Sequence, residues 1–193
     1  MANRAVFLDR DGTVIEEVNY LSTIEEMQVY PFSAEALRRL RAAGFLVVII
    51  SNQSAIARGY LNEADLEKIH SELARRLTQE GARIDRFYYC PHHAEATLER
   101  YRQVCECRKP RPGMILRAAA DLQIDLKASF VVGDRAGDVG VAQEAGCRSV
   151  LVKTGYGKTA VEQLGDLRPD YVAENLLEAA DWIIAYEGQS AIQ

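Results

Sequence analysis

The sequence predicts an α/β fold with a mostly parallel central sheet flanked by helices. Three observations point there. Short β-branched and aromatic runs recur along the 193 residues, separated by segments of helical character. Within each run the apolar residues do not alternate with polar ones, the pattern of strands buried on both faces. The first four runs also end on residues with chemical potential: Asp9, Ser51, Cys90 and, after Gly133, Asp134. Ligands of open parallel sheets sit beyond the carboxyl ends of the strands.

The elements follow in order. Residues 5–8 (AVFL) form the first strand, and Ser33 is placed to cap a helix over 34–43 that Gly44 stops. Residues 45–50 (FLVVII) form the second strand. Asn62 caps a helix reaching about Gln79, with Gly81 beyond it. Residues 87–89 form the third strand. A helix over 113–122 follows Pro110 and Pro112, and 129–132 form the fourth strand. A short helix over 138–145 is stopped by Gly146, strands follow at 150–152 and 171–173, and Asn175 with Glu178 makes a capping-box pattern opening the last helix. There is no repeat, low-complexity stretch or linker, so residues 1–193 read as a single domain. The tail from Gly188 to Gln193 is expected to be loose.

Composition narrows the function. Apolar residues make up 48% and charged residues 26%, as in soluble globular proteins. Lys and Arg total 23 against 28 Asp and Glu, a net charge of −5, which argues against a nucleic-acid partner but leaves room for a small anion held by local cations. The start, M-A-N-R-A-V-F-L-D, lacks a leader's apolar run, and no stretch is long enough to span a bilayer. A cytoplasmic protein with reduced thiols and no membrane partner is expected. No coiled-coil seam is visible, and a monomer is expected.

Directly after the first strand stands F-L-D-R-D-G-T-V. Asp9 and Asp11, one residue apart, lie near each other, and two close carboxylates call for a hard cation such as Mg²⁺. Ser51-Asn52-Gln53 offers a hydroxyl and amides, Lys109 a cation, and G-D-R-A-G-D (133–138) further carboxylates. In this order the four segments resemble the motifs of the haloacid dehalogenase (HAD) superfamily: D-x-D-G-T, Ser/Thr, Lys, G-D-x-x-x-D. The resemblance implies a Rossmann-like HAD fold and a phosphatase. Asp9 would be the nucleophile forming an aspartyl-phosphate, Asp11 the general acid and base, and Ser51 and Lys109 the stabilisers of the transferring group. Asp9, the Asp11 main-chain carbonyl and Asp134 would hold Mg²⁺. For Asp138, helix capping and metal contact are both open.

The segment from Cys90 to Pro110 holds three of the four cysteines and two of the three histidines. Cys90, His92, Cys105 and Cys107 make a candidate tetrahedral Zn²⁺ set, with four protein ligands and so a structural role. Free thiols, or His93 in place of His92, are the other readings. Cys147 is expected in core packing, and His70 on a helix surface rather than as a ligand. The zinc loop, about 90–107, would deliver Arg108 and Lys109 to the carboxyl end of the sheet.

A zinc loop ending C-x-C-R-K-P resembles two groups of bacterial HAD phosphatases, one acting on heptose bisphosphates and one on histidinol phosphate. F-L-D-R-D-G-T-V, S-N-Q-S-A-I-A-R-G, Y-Y-C-P-H-H and R-Q-V-C-E-C-R-K-P-R-P-G-M, with the long spacer from His92 to Cys105, resemble the first group. That resemblance implies removal of the C7 phosphate from heptose 1,7-bisphosphate, leaving the C1 phosphate for ADP- or GDP-heptose and a surface glycan such as lipopolysaccharide. It implies sugar contacts from Glu17, Val18, Asn19 and Tyr20, contacts to phosphate and sugar from Ser51, Asn52, Gln53 and Ser54, and further contacts from Arg108, Lys109 and Arg135. Ala55 stands where the group often has glycine, and Arg135 where some members have lysine. No stretch is long enough for a separate cap domain. A non-catalytic, zinc-stabilised binding module is the competing reading from another class, and intact Asp9 and Asp11 weigh against it.

Overall fold

A computed structural model describes residues 2–190. Six strands form one sheet: β1 (Arg4–Leu8), β2 (Phe45–Asn52), β3 (Arg86–Cys90), β4 (Phe130–Gly133), β5 (Arg148–Val152) and β6 (Tyr171–Ala173). Every pairing is parallel and the order is β3-β2-β1-β4-β5-β6. The chain therefore reverses its winding direction between β1 and β4, where a crevice opens at the carboxyl ends.

The helices are α1 (Ser33–Ala42), α2 (Ser54–Ala57), α3 (Glu63–Gln79), α4 (Gly113–Leu122), α5 (Ala136–Ala145), α6 (Gly157–Glu162) and α7 (Leu176–Ser190). Strand alternation explains how they divide. Val6 and Leu8 of β1 face one core with Val47 and Ile49 of β2, covered by α1, α3 and α7 through Leu37, Leu73 and Ile183. Ala5 and Phe7 face the other with Val48 and Ile50, covered by α4 and α5 through Ile115 and Val141. Each fully buried side chain of this size contributes roughly 1.5–3 kcal/mol, so both layers hold β1 in place.

The strand expectations agree within two residues. Three helical details differ. The Ser33 hydroxyl donates to the Val14 carbonyl (2.7 Å) and does not cap α1. Its hydroxyl instead anchors the turn that carries Asp9 and Asp11. Helix α5 begins two residues earlier than expected, with the Asp138 carboxylate accepting from the Arg135 N–H (3.0 Å). Helix α7 runs through 188–190, correcting the expected loose tail there; residues 191–193 lie outside the described residues. The two short helices α2 and α6 had no sequence signal.

Asn62 caps α3 as expected, its side-chain oxygen accepting from the Asp65 N–H (3.0 Å). Asn62→Ala is expected to cost about 1 kcal/mol, lowering the thermal midpoint by roughly 2–4 °C without changing activity, as measured by calorimetry beside an activity assay.

Candidate active site

The site grows from the crossover. Asp9 directly follows β1, its N–H still in the ladder to the Val132 carbonyl (2.9 Å), and is buried. Asp134 follows β4 and is 0% exposed. From the β3–α4 loop, Lys109 lays its ammonium between Asp9 Oδ1 (3.0 Å) and Asp138 Oδ1 (2.6 Å), with a third bond to the Ile50 carbonyl (3.1 Å). The Lys109 main chain is clamped in turn by Asn52 at the end of β2, through the Lys109 N–H (3.0 Å) and carbonyl (3.2 Å). The Lys109–Pro110 peptide is cis.

One lysine does not balance this crowd of carboxylates. Burial pushes Asp9 up to about 7, against the opposing pull of Lys109 and with further upward pressure from Asp138 and Asp11. Burial, with Asp9 beside it, pushes Asp134 up to about 8. Asp134 Oδ2 accepts from the Tyr156 N–H (2.7 Å), while Oδ1 is buried with no hydrogen-bond partner. Carboxylate oxygens of Asp9, Asp134 and Asp138 lie within 4.8 Å of one another. Both Asp138 oxygens are already engaged, one by Lys109 and one by the Arg135 N–H. Asp9 and the orphaned Asp134 oxygen are thus the groups that fit a hard divalent cation.

Asp11 is turned toward Arg10 and Gln53 and lines the same cleft as Asp9. Arg10 Nε reaches both its oxygens (3.2 and 3.1 Å), Arg10 Nη2 reaches Oδ1 (2.9 Å), and Gln53 Nε2 donates to Oδ2 (3.0 Å). Gln53 Nε2 also donates to the Ser51 hydroxyl oxygen (2.6 Å). The Asp11 carboxylate is therefore outside the carboxylate cluster, leaving its main-chain carbonyl as the group it could offer a cation.

At the end of β3 and in the β3–α4 loop, the side chains of Cys90, His92, Cys105 and Cys107 offer ligand atoms within 4.8 Å of one another. Sulfur separations are 3.4 Å (Cys90–Cys105), 2.9 Å (Cys90–Cys107) and 3.2 Å (Cys105–Cys107), and His92 Nδ1 lies 3.4 Å from Cys107 Sγ. The four cysteines of the chain are free. Burial, then the Cys107 thiol, pushes the Cys90 thiol up, so its thiolate is disfavoured there without a cation. Convergence of three sulfurs and one imidazole nitrogen is the donor set that Zn²⁺ takes. His93 does not join; its Nδ1 accepts from the Glu95 N–H (3.0 Å). Glu63 of α3 ties down the loop's flanks through Tyr89 (2.6 Å) and Tyr101 (2.8 Å). Arg108 donates to the His92 carbonyl (3.0 Å), which links its guanidinium to the cluster.

Above these groups opens a cleft of about 460 Å³. Glu17, Asn19, Tyr20, Ser51, Asn52, Gln53, Ser54, Arg108, Lys109 and Arg135 all line it. Val18 does not line it and packs against the core instead. Arg135 bonds Glu17 (3.2 Å) and stacks over Tyr156 (4.0 Å), and the Tyr156 hydroxyl meets Asn19 (3.1 Å), joining the walls across the mouth. Arg58, His93 and Tyr156 line the cleft and were missed from sequence. Arg58 lay inside the quoted S-N-Q-S-A-I-A-R-G; Tyr156 carried no signal. Cys147 packs against the second core, where burial pushes its thiol up to about 12. His70 corrects another expectation: it is buried, not on a surface.

The comparisons with known proteins agree with this fold. A HAD-hydrolase-like family model matches residues 106–179. A D-glycero-beta-D-manno-heptose-1,7-bisphosphate 7-phosphatase of Rhodopseudomonas palustris is 48% identical over 142 residues, 74% of this chain and 79% of that protein. The enzyme of the same name from Pasteurella multocida is 42% identical over 91% of this chain and 94% of its own. A crystal structure of D,D-heptose 1,7-bisphosphate phosphatase from B. bronchiseptica, complexed with magnesium and phosphate, superposes with a TM-score of 0.85 at 34% identity, covering 95% of this chain and 99% of that one.

Fold and site together define a phosphoric monoester hydrolase of the HAD type. More narrowly, the chain belongs to the family of D-glycero-D-manno-heptose-1,7-bisphosphate 7-phosphatases.

Gly12, in the turn after Asp11, tests the geometry. Its φ is +78°, and a Cβ there would stand 2.2 Å from Asp134 Oδ2. Gly12→Ala is expected to displace Asp134 and to lower turnover by roughly 10²-fold, with far-UV circular dichroism unchanged.

Proposed function

We propose that this chain removes the C7 phosphate from D-glycero-D-manno-heptose 1,7-bisphosphate and releases heptose 1-phosphate, in the synthesis of nucleotide-activated heptose. The observation that carries the reading is the buried Asp9, held 3.0 Å from Lys109 beside an Asp134 oxygen without a hydrogen-bond partner. A binding module would not need a buried nucleophile with a second acid two residues on. Curated relatives name the β anomer of the sugar, and we assign the same preference here.

Asp9 attacks phosphorus in line with the C7 oxygen. The O–P bond to Asp9 forms as the bond to the sugar breaks, giving an aspartyl-phosphate. Asp11 gives its proton to the departing alkoxide. It then takes a proton from the water that hydrolyses the aspartyl-phosphate, which restores both carboxyl groups and frees inorganic phosphate. Lys109 and the Ser51 hydroxyl face the equatorial oxygens. Mg²⁺, held by Asp9, Asp134 and the Asp11 main-chain carbonyl, would neutralise phosphoryl charge. Glu17, Asn19, Tyr20, Ser54 and Arg135 contact the rest of the sugar phosphate, with Arg108 placed by its planar fork for an anionic group.

Zn²⁺ bound by Cys90, His92, Cys105 and Cys107 would have a closed set of protein ligands and a structural role. It would fix the loop whose end carries Arg108 and Lys109. Such thiolates suit a reducing, cytoplasmic setting. No helix among the described residues is long and apolar enough to cross a membrane.

Initial rates of phosphate release with Mg²⁺, from the α and β anomers of heptose 1,7-bisphosphate and from histidinol phosphate, test the reading. A strong preference for the β bisphosphate, abolished by Asp9→Asn, is expected; a preference for histidinol phosphate would overturn the substrate. Cys107→Ser is expected to release zinc, measured by metal analysis. It should also lower activity at least as much as stability, because Lys109 lies two residues away.

A further inference from the structure

His70 is a buried, polar group that the reaction as described does not use. It sits on α3, 6% exposed, among core leucines. Its ring stacks on Phe87 of β3 (4.5 Å between centroids, 18° between planes) and meets the edge of Tyr89. Its Nε2 lies 3.3 Å from Nη1 of Arg10. Arg10 is itself only 1% exposed and stands between the two aspartates of the D-x-D motif.

A guanidinium has donors and no acceptor. Nε2 of His70 must therefore accept, which puts the ring proton on Nδ1 and leaves the ring neutral. Burial first, and then Arg10, lowers His70 to about 3, in keeping with a neutral ring at any working pH. The other Arg10 nitrogens are equally committed. Nη2 donates to Gln53 Oε1 (3.1 Å) and Asp11 Oδ1 (2.9 Å), and Nε faces the Asp11 carboxylate. Gln53 closes the ring by donating to Asp11 Oδ2 (3.0 Å). Arg10 thus has an acceptor on each side, and the one farthest from the cleft is His70.

We propose that His70 is a positioning residue: by accepting from the rear of Arg10, it sets the plane in which Arg10 presents its donors and so fixes the Asp11 carboxylate. This rests on Asp11 being the acid and base of the reaction. Without the acceptor, a buried Arg10 donor has no partner, and the guanidinium turns to find one. Asp11 then loses its bidentate hold while Asp9, Lys109 and Ser51 keep their places. The effect falls on proton delivery and not on substrate binding.

The test compares His70→Phe, which keeps the ring stack and removes the acceptor, with His70→Gln, which keeps an acceptor. Both are made in the full metal-loaded chain, with thermal midpoints recorded. Single-turnover release of the leaving group is measured from heptose 1,7-bisphosphate, whose sugar alkoxide leaves poorly, and from 4-nitrophenyl phosphate, whose phenolate leaves well without protonation. His70→Phe is expected to lower the rate about tenfold on the bisphosphate, with half-saturation unchanged and a much smaller loss on the nitrophenyl ester. His70→Gln is expected to recover most of the rate. Wild-type rates in His70→Phe, or equal losses on both esters in both variants, would overturn the proposal. Asp11→Asn separates the two questions. Full activity in that variant on the bisphosphate would defeat the assignment of Asp11 itself, whatever His70 does.

Discussion

Everything in this molecule turns on placing carboxylates where they are largely buried, at the floor of a cleft. Asp9, Asp134 and Asp138 sit within one ionic contact of each other at the point where the sheet reverses its winding. Left alone they would repel and take up protons. Lys109 offsets part of this by bridging Asp9 and Asp138, and their two charges hold its ammonium firmly protonated against the opposing effect of burial. The remainder, the Asp134 oxygen without a hydrogen-bond partner beside Asp9, fits a second cation. The groups that would serve phosphoryl transfer are the same ones that make an empty centre electrostatically unfavourable.

That arrangement depends on a loop with little apolar core of its own. Lys109 arrives from the β3–α4 connection, which is held by three means of different kinds. The Cys/His cluster gathers its ends, Glu63 bonds two tyrosines on its flanks, and Asn52 clamps the Lys109 main chain. Gly113 lets the following helix start hard against the loop, since a Cβ there would stand 2.4 Å from the Glu106 carbonyl. The Cys/His cluster and Lys109 are thus two residues apart for a mechanical reason: the loop positions its charge only where it is itself rigid.

Much of this was legible in the sequence, for identifiable reasons. Strands buried on both faces leave unbroken apolar runs, and the polar residue ending each run marks the crevice. Asn62 and Gly81 bound α3 as expected because their roles are local. Ser33 looked like a cap but serves a carbonyl 19 residues away, which local pattern does not reveal. His70 was misplaced although the apolar stripe of α3, Leu66, Ile69, Leu73 and Leu77, puts position 70 on the buried side. A polar residue on that stripe needed a partner, and the buried Arg10 is a long-range contact. Tyr156 reaches the cleft because β5 and α6 fold back over Asp134, and Val18 leaves it because its turn packs inward; neither follows from spacing alone.

The central claim, that Asp9 and Asp134 are held for a divalent cation, is tested most directly by calorimetric titration of Mg²⁺ into the wild-type chain and into Asp134→Asn. The account predicts one binding event in the wild type, with protons released as the two raised carboxyl groups ionise, and its loss in the variant. Undiminished binding in Asp134→Asn, or no binding by the wild type, would contradict it.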